Sequence, residues 1–211
     1  MRTRVLAIAA ALLAAVLIMA AAAPKPQPSS RATTKAIFAG GCFWSEESVF
    51  EGLPGVSAVV SGYTGGTMKN PSYEDVSTGM TGHLESVEVT YDPSKISYPQ
   101  LLDVYWHNID PTQTDGQFCD RAPEYHTAIF YRDSVQKREA EASKHQIETT
   151  PQRFKDPVVT QILAASAFYP AEGYHQDFAK KNPLRYVPYR IGCRRDAQLT
   201  ALWGKPGRQG F

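Results

Sequence analysis

Lys35-Ala36-Ile37-Phe38-Ala39-Gly40-Gly41-Cys42-Phe43-Trp44-Ser45-Glu46-Glu47-Ser48-Val49-Phe50-Glu51 reads as a strand, a turn and a helix in immediate succession. Residues 35–39 carry a short apolar run, as a buried strand does. Gly40 and Gly41 permit a tight turn. Phe43 to Glu51 then has helical character, with Phe43, Val49 and Phe50 apolar and Glu46 and Glu47 in the first turn. The pattern puts Cys42 at the helix N-terminus. Backbone N–H groups and the helix dipole there favour a thiolate, which is the nucleophilic form of cysteine. Phe43 and Trp44 either pack in a core or wall an apolar pocket, and spacing alone supports both readings.

Working outward, strands are predicted at 35–39, 56–62, 84–91, 127–132 and 158–162. Helices are predicted at 43–51, 98–109, 133–149, 171–180 and 195–203. The interleaving lacks a strict βαβ rhythm. It predicts an α+β two-layer sandwich with a mixed or antiparallel sheet and flanking helices. Segment 98–109 is apolar enough to pack on the sheet, whereas 133–149 reads as a solvated outer helix with a thin apolar stripe. Residues 84–91 alternate, so Glu85 shares a face with Val87, Val89 and Tyr91. A carboxyl in apolar surroundings has a raised pKa and can act as a general acid. The other reading of Glu85 is a strand-end residue turned to solvent.

The chain has 211 residues, 43% hydrophobic and 20% charged, with a formal net charge of +1. These values exclude a mostly disordered chain and give no basic surplus for nucleic-acid binding. Arg2 and Arg4 precede an unbroken apolar run from Val5 to Ala23, and Pro24, Pro26 and Pro28 follow. This is the layout of a signal peptide over 1–23. A polar linker follows at 24–34, then a domain at 35–211 with 186–211 as its C-terminal tail. The competing reading is an uncleaved anchor, since about 17–25 apolar residues can span a bilayer. Either way the domain is expected to be exported, periplasmic or secreted, touching a membrane only if the segment stays uncleaved. Export implies an oxidising compartment. Cys42, Cys119 and Cys193 can form one internal pair in three ways, each leaving one thiol over. The five histidines show no zinc-binding spacing, and no metal is expected.

Gly41-Cys42-Phe43-Trp44 resembles the signature of the A-class peptide methionine sulfoxide reductases. Ser61-Gly62-Tyr63-Thr64-Gly65-Gly66, Asn70-Pro71-Ser72-Tyr73-Glu74-Asp75-Val76 and Gly82-His83-Leu84-Glu85-Ser86-Val87 support the resemblance. So do Asp110-Pro111-Thr112, Tyr125-His126-Thr127-Ala128-Ile129 and Tyr174-His175-Gln176-Asp177, all in the family's order. The resemblance covers about residues 35–185 and implies the family's ferredoxin-like α+β fold. It further implies reduction of the S epimer of methionine sulfoxide, protein-bound or free. Cys42 would be the nucleophile and Glu85 the acid. Tyr63 and Tyr125 would hold the sulfoxide oxygen, Asp120 would order the site, and Phe43 and Trp44 would receive the S-methyl group. No step needs a metal or an organic cofactor. A thioredoxin-like reductant and a monomeric protein are expected.

The chain departs from the family's pattern in places. Ser45 stands where Gly is common, and Glu124-Tyr125-His126-Thr127 replaces Gln-Tyr-Arg-Ser. Cys119-Asp120-Arg121-Ala122 replaces Asn-Asp-x-Gly, and Val187 stands where a recycling Cys is frequent. Cys193 is therefore read as the resolving thiol, in a tail mobile enough to reach Cys42. Cys119, beside Asp120, is the alternative, and direct reduction by an external thiol is a third route. His175 is read as helix packing. Two other functions are compatible with parts of the pattern: a non-catalytic domain with a structural disulfide, and a Cys-dependent acyl hydrolase needing a His base beside Cys42.

Overall fold

Strand β1 (Thr34–Gly40) lies inside a six-stranded sheet of order β5-β4-β1-β3-β2-β6. The computed structural model describes residues 33–150, 154–205 and 207–208. The readings of 1–23 and of most of the linker fall on residues outside that range. The other strands are β2 (Val56–Thr64), β3 (Leu84–Tyr91), β4 (Thr127–Tyr131), β5 (Gln161–Ala164) and β6 (Tyr169–Pro170). The pairs are antiparallel except β4 with β5, which is parallel. The mixed α+β sheet read from the sequence is thus present.

β1 has no alternation because both of its faces are covered. Ala36 and Phe38 join the main core, whereas Ile37 and Ala39 pack with Ala128 and Phe130 on the other side. Phe38 stacks on Phe50 and Tyr105, with ring centres 5.0 and 5.1 Å away. The buried Tyr105 hydroxyl donates to the Ala39 carbonyl at 2.8 Å, so its polar atom is satisfied. Phe38→Ala is expected to cost about 3–5 kcal/mol through lost burial and the cavity left among rigid rings. Urea denaturation of the two proteins measures this directly.

Helix α1 (Phe43–Phe50) follows β1 and α2 (Tyr73–Val76) is one short turn. α3 (Tyr98–Trp106) starts at a Ser97–Gln100 capping box and buries Leu101, Leu102, Tyr105 and Trp106. α4 (Ser134–Thr149) buries only Gln136 and Ala140, as its polar sequence predicts. The predicted helix at 171–180 shrinks to α5 (Phe178–Lys181), because Asp177 just before it has a left-handed φ of 55°. The strand predicted at 158–162 is shifted to β5. α6 (Pro183–Gly192) was not predicted, and it carries Pro188 inside it. α7 (Arg195–Trp203) is as predicted.

The mobile tail is a correction. Tyr186, Arg190, Arg195, Leu199 and Trp203 are all buried, so residues 186–203 form part of the packed domain. Arg190 pairs through Nε and Nη2 with both carboxylate oxygens of Asp196, and its Nη1 donates to the Tyr186 hydroxyl. This bidentate pair joins α6 to α7.

Candidate active site

The turn between β1 and α1 leaves no room for side chains. A Cβ on Gly40 would sit 1.8 Å from Glu46 Oε1, and one on Gly41, at φ 89°, would sit 2.5 Å from Gln117 Cβ. The glycines therefore allow Gln117's loop and Glu46 to close around the turn. Glu46 and Glu47 are not solvated first-turn acids: both are buried, and burial pushes each carboxyl up to about 7. Arg195, from α7, donates from Nη2 to the Gly40 carbonyl at 3.2 Å and to the Asn108 carbonyl at 2.8 Å. Its guanidinium lies 4.4 Å over the Phe118 ring.

Cys42 is the N-cap residue of α1, as read from the sequence, and is a free thiol. It is only 7% exposed. Burial raises its pKa well above the usual thiol range, and Asp120, with Glu85 once it ionises, pushes the same way. Hydrogen bonds from Tyr189 and from the Trp44 backbone oppose this and lose. The expected lowering by the helix terminus is therefore overturned for the resting site. Desolvation of a wholly buried thiol outweighs a terminal dipole.

Glu85 lies inward on β3, opposite Tyr63 in the register with β2. It is 2% exposed, which settles the strand-face argument in favour of burial. The Phe43 N–H donates to its Oε2 at 2.9 Å. Burial nevertheless dominates, and the carboxyl is pushed up to about 8. The structure thus brings together a buried thiol and a carboxyl that keeps its proton near neutrality.

Two phenols complete this side. Tyr73 and Tyr125 lie close to each other and near enough to Glu85 and Cys42 to be influenced by both. Burial first, then Glu85, raises both phenols, so each keeps its O–H to donate. Tyr63 is placed differently from the expectation. Its hydroxyl donates to Glu172 Oε2 at 2.9 Å, and its ring packs 5.9 Å from Phe43. The hydroxyl is committed to Glu172, whose other oxygen accepts from the Tyr73 N–H at 2.9 Å. Tyr63 therefore helps hold Tyr73, and Tyr73 takes the place beside Cys42 that was read for Tyr63.

Phe43 is fully buried, and Trp44 keeps a partly exposed surface. Trp44 stacks on Phe178 with ring centres 3.6 Å apart, and its Nε1 donates to His175 Nδ1 at 3.0 Å. His175 lies against Phe43 and Tyr73, at 4.9 and 4.5 Å. Burial lowers its pKa, so it stays neutral and can accept from Trp44. It belongs to the aromatic wall of the site, not to helix packing.

Asp120 faces Cys42 from the loop before β4. Its Oδ2 accepts from the Tyr189 hydroxyl at 2.6 Å, and burial raises its pKa. Next to it, Cys119 is disulfide-bonded to Cys193, with Cα atoms 4.9 Å apart. Of the three pairings weighed, the structure holds the one that leaves Cys42 free. Neither Cys193 nor Cys119 is bonded to Cys42 in this state, yet both sit beside Asp120. The sulfur atoms and the carboxylate oxygen lie within 4.8 Å of one another.

Sequence reasoning missed the roles of Tyr73, His175, Glu172, Tyr189 and Arg195. Tyr73 and His175 stand in motifs that carry the resemblance, but nothing in their spacing says where the rings point. Tyr189 and Arg195 lie in the segment read as a mobile tail.

The model of the family described as "Peptide methionine sulfoxide reductase" matches residues 34–206. A peptide methionine sulfoxide reductase MsrA of Bacillus licheniformis is 51% identical over 170 residues, covering 81% of this chain and 93% of that protein. MsrA 2 of Caulobacter vibrioides is 48% identical over 186 residues, covering 86% and 91%. Among solved structures, methionine sulfoxide reductase A of Corynebacterium diphtheriae superposes with a TM-score of 0.70 at 31% identity, covering 79% of this chain and 87% of that one. Reduced Mxr1 of Saccharomyces cerevisiae gives 0.68 at 25% identity, covering 74% and 90%.

Proposed function

The chain belongs to the peptide methionine sulfoxide reductase family, and from that premise we propose how its site performs the reaction. It is a thiol-dependent oxidoreductase that reduces methionine sulfoxide to methionine. The observation that carries the mechanistic reading is the buried Cys42 thiol beside a Glu85 carboxyl that stays protonated up to about 8. We assign it the S epimer, protein-bound or free.

In our reading the Cys42 thiolate attacks the sulfoxide sulfur while Glu85 gives its proton to the oxygen. Tyr73 and Tyr125 donate hydrogen bonds to that oxygen, which gains negative charge as the S–O bond weakens. Trp44 and Phe43 shape the apolar side that takes the S-methyl group. Methionine leaves, and the oxygen stays on Cys42 as a sulfenic acid. Substrate sulfur is reduced by two electrons and Cys42 sulfur is oxidised by two.

Cys193 then attacks the Cys42 sulfenic acid, forming a disulfide and releasing water. Cys119 attacks Cys193, the Cys42 thiol is released, and the Cys119–Cys193 disulfide remains. Cys119 is exposed, so a thioredoxin-like dithiol can reach that bond and Cys42 need not be uncovered. The basic start and apolar run of residues 1–23 support export, which would make oxidised exported proteins the substrates.

The test is stoichiometry. Fully reduced wild type, given one equivalent of sulfoxide peptide and no reductant, is expected to lose two of its three thiols and keep Cys42 free. Cys119→Ser should make its first methionine but stop with a Cys42–Cys193 disulfide. Cys193→Ser should stop at the sulfenic acid or a Cys42–Cys119 bond. Peptide mapping identifies each bond. A Cys193→Ser enzyme that turns over with a dithiol reductant as fast as wild type refutes the assigned order.

A further inference from the structure

The resting site presents a difficulty. Cys42 must lose its proton to attack, yet its burial and the nearby Asp120 carboxylate hold the proton on. Glu85 is unsuited as the base, because it retains its own proton and the reaction needs that proton for the departing oxygen. The Tyr189 hydroxyl is the group that touches both Cys42 and a carboxylate. It donates to Asp120 Oδ2 at 2.6 Å and lies near enough to the Cys42 thiol to act on it, so the phenol oxygen is left to accept from the thiol. Its ring lies edge-on to Trp44 at 6.1 Å, so the phenol is half-buried and shielded.

The arrangement is held from two sides. The Tyr189 carbonyl accepts from the Cys193 N–H at 2.9 Å, and the Asp120 N–H donates to the Gln117 carbonyl at 3.0 Å. The Cys119–Cys193 disulfide links the neighbour of Asp120 to the helix turn that carries Tyr189.

We propose that Tyr189 is a further catalytic residue, which carries the Cys42 thiol proton to the Asp120 carboxylate and leaves the thiolate. The S–H bond breaks as the phenol oxygen takes that proton, and the phenol's own O–H proton passes to Asp120 Oδ2. No electrons change hands. The product is a thiolate accepting a hydrogen bond from Tyr189, beside a neutral Asp120. Protonating Asp120 also removes the carboxylate charge that opposes the thiolate. Tyr73 and Tyr125 face the same sulfur as neutral donors, and Arg195 acts on Asp120 and Tyr189 with its positive charge. The thiolate is a minor species until the sulfoxide draws it off.

The inference rests on Cys42 being the nucleophile. With Cys119–Cys193 kept oxidised, Cys42 is the one free thiol, so its chemistry can be read alone. Tyr189→Phe removes a single oxygen atom. It is expected to slow formation of the first methionine by about 10²-fold, the low end for losing a proton-transfer group. The half-saturating substrate concentration should not change. The pH profile of Cys42 alkylation by iodoacetamide should move upward by about one unit, since a donor to the thiolate is lost. Asp120→Asn should give a similar loss, and the double variant should be no slower than the worse single one. A wild-type rate and alkylation profile in Tyr189→Phe overturns the proposal. So does a lowered melting temperature with an unmoved profile, which marks a packing role only. Methionine formation by Cys42→Ser would instead overturn the reading of the nucleophile itself.

Discussion

Cys42→Ser is expected to make no measurable methionine from a sulfoxide peptide, a loss on the order of 10⁴-fold or more, as when the nucleophile of another covalent mechanism is removed. The hydroxyl is the wrong element for the task. It is far less acidic than a thiol, and its oxygen cannot accept the sulfoxide oxygen as a sulfenic acid. The exchange is nearly isosteric, and the backbone of Trp44 and the hydroxyl of Tyr189 remain as partners for the new group. Stability should change by only about 1 kcal/mol, the usual worth of one exchanged hydrogen bond. Chromatographic counting of methionine, with a parallel thermal melt, separates lost chemistry from lost fold. Multiple turnovers by the Ser variant would sink the mechanism.

Glu85→Gln carries the second largest effect. Gln fills the same space but has no acidic proton, and the first-turnover rate should fall about 10²–10⁴-fold. The pH dependence has a definite sign. Burial raises the Glu85 carboxyl to about 8, so its acid form persists below that value and is lost above it. The wild-type rate should therefore decline as pH rises through about 8, and the Gln variant should lack that limb. Stability follows the same linkage. Between the unfolded carboxylate range and about 8 the folded chain holds a proton that the unfolded chain has released, so wild-type stability falls as pH rises. Gln has no proton to release. At pH 8 the variant should melt no lower than wild type while being nearly inactive, which a folding defect would not produce.

Much of the placement of Cys42 and Glu85 was legible because it depends on local patterns. The strand-turn-helix run around Cys42 is encoded in an apolar stretch, two glycines and a helical segment. β3 runs from Leu84 to Tyr91 as the alternation predicts, and a period of two leaves Glu85 no face but the inner one. The polar helix at Ser134–Thr149 followed from composition, and α7 was found from its own pattern.

The rest needed contacts between residues far apart in the chain. Which tyrosines face Cys42 depends on where their hydroxyls end, and Tyr63 is drawn off by Glu172, 109 positions away. Asp120 and Tyr189 are 69 positions apart, and Cys119 and Cys193 are 74 apart. α6 was not predicted, and tertiary packing of Tyr186 and Arg190 holds this helix around Pro188.

The sequence by itself determined the α+β class, the family, the helix-terminal place of Cys42 and the inward face of Glu85, since each rests on short-range periodicity or on contiguous motifs. Only the tertiary structure decided that the C-terminal segment is packed, that Tyr73 stands where Tyr63 was expected, and that Cys119 pairs with Cys193. It also reversed the expected acidity of Cys42. A helix terminus is visible in sequence, but desolvation is set by every element that closes over the thiol, and at this site desolvation is the larger effect.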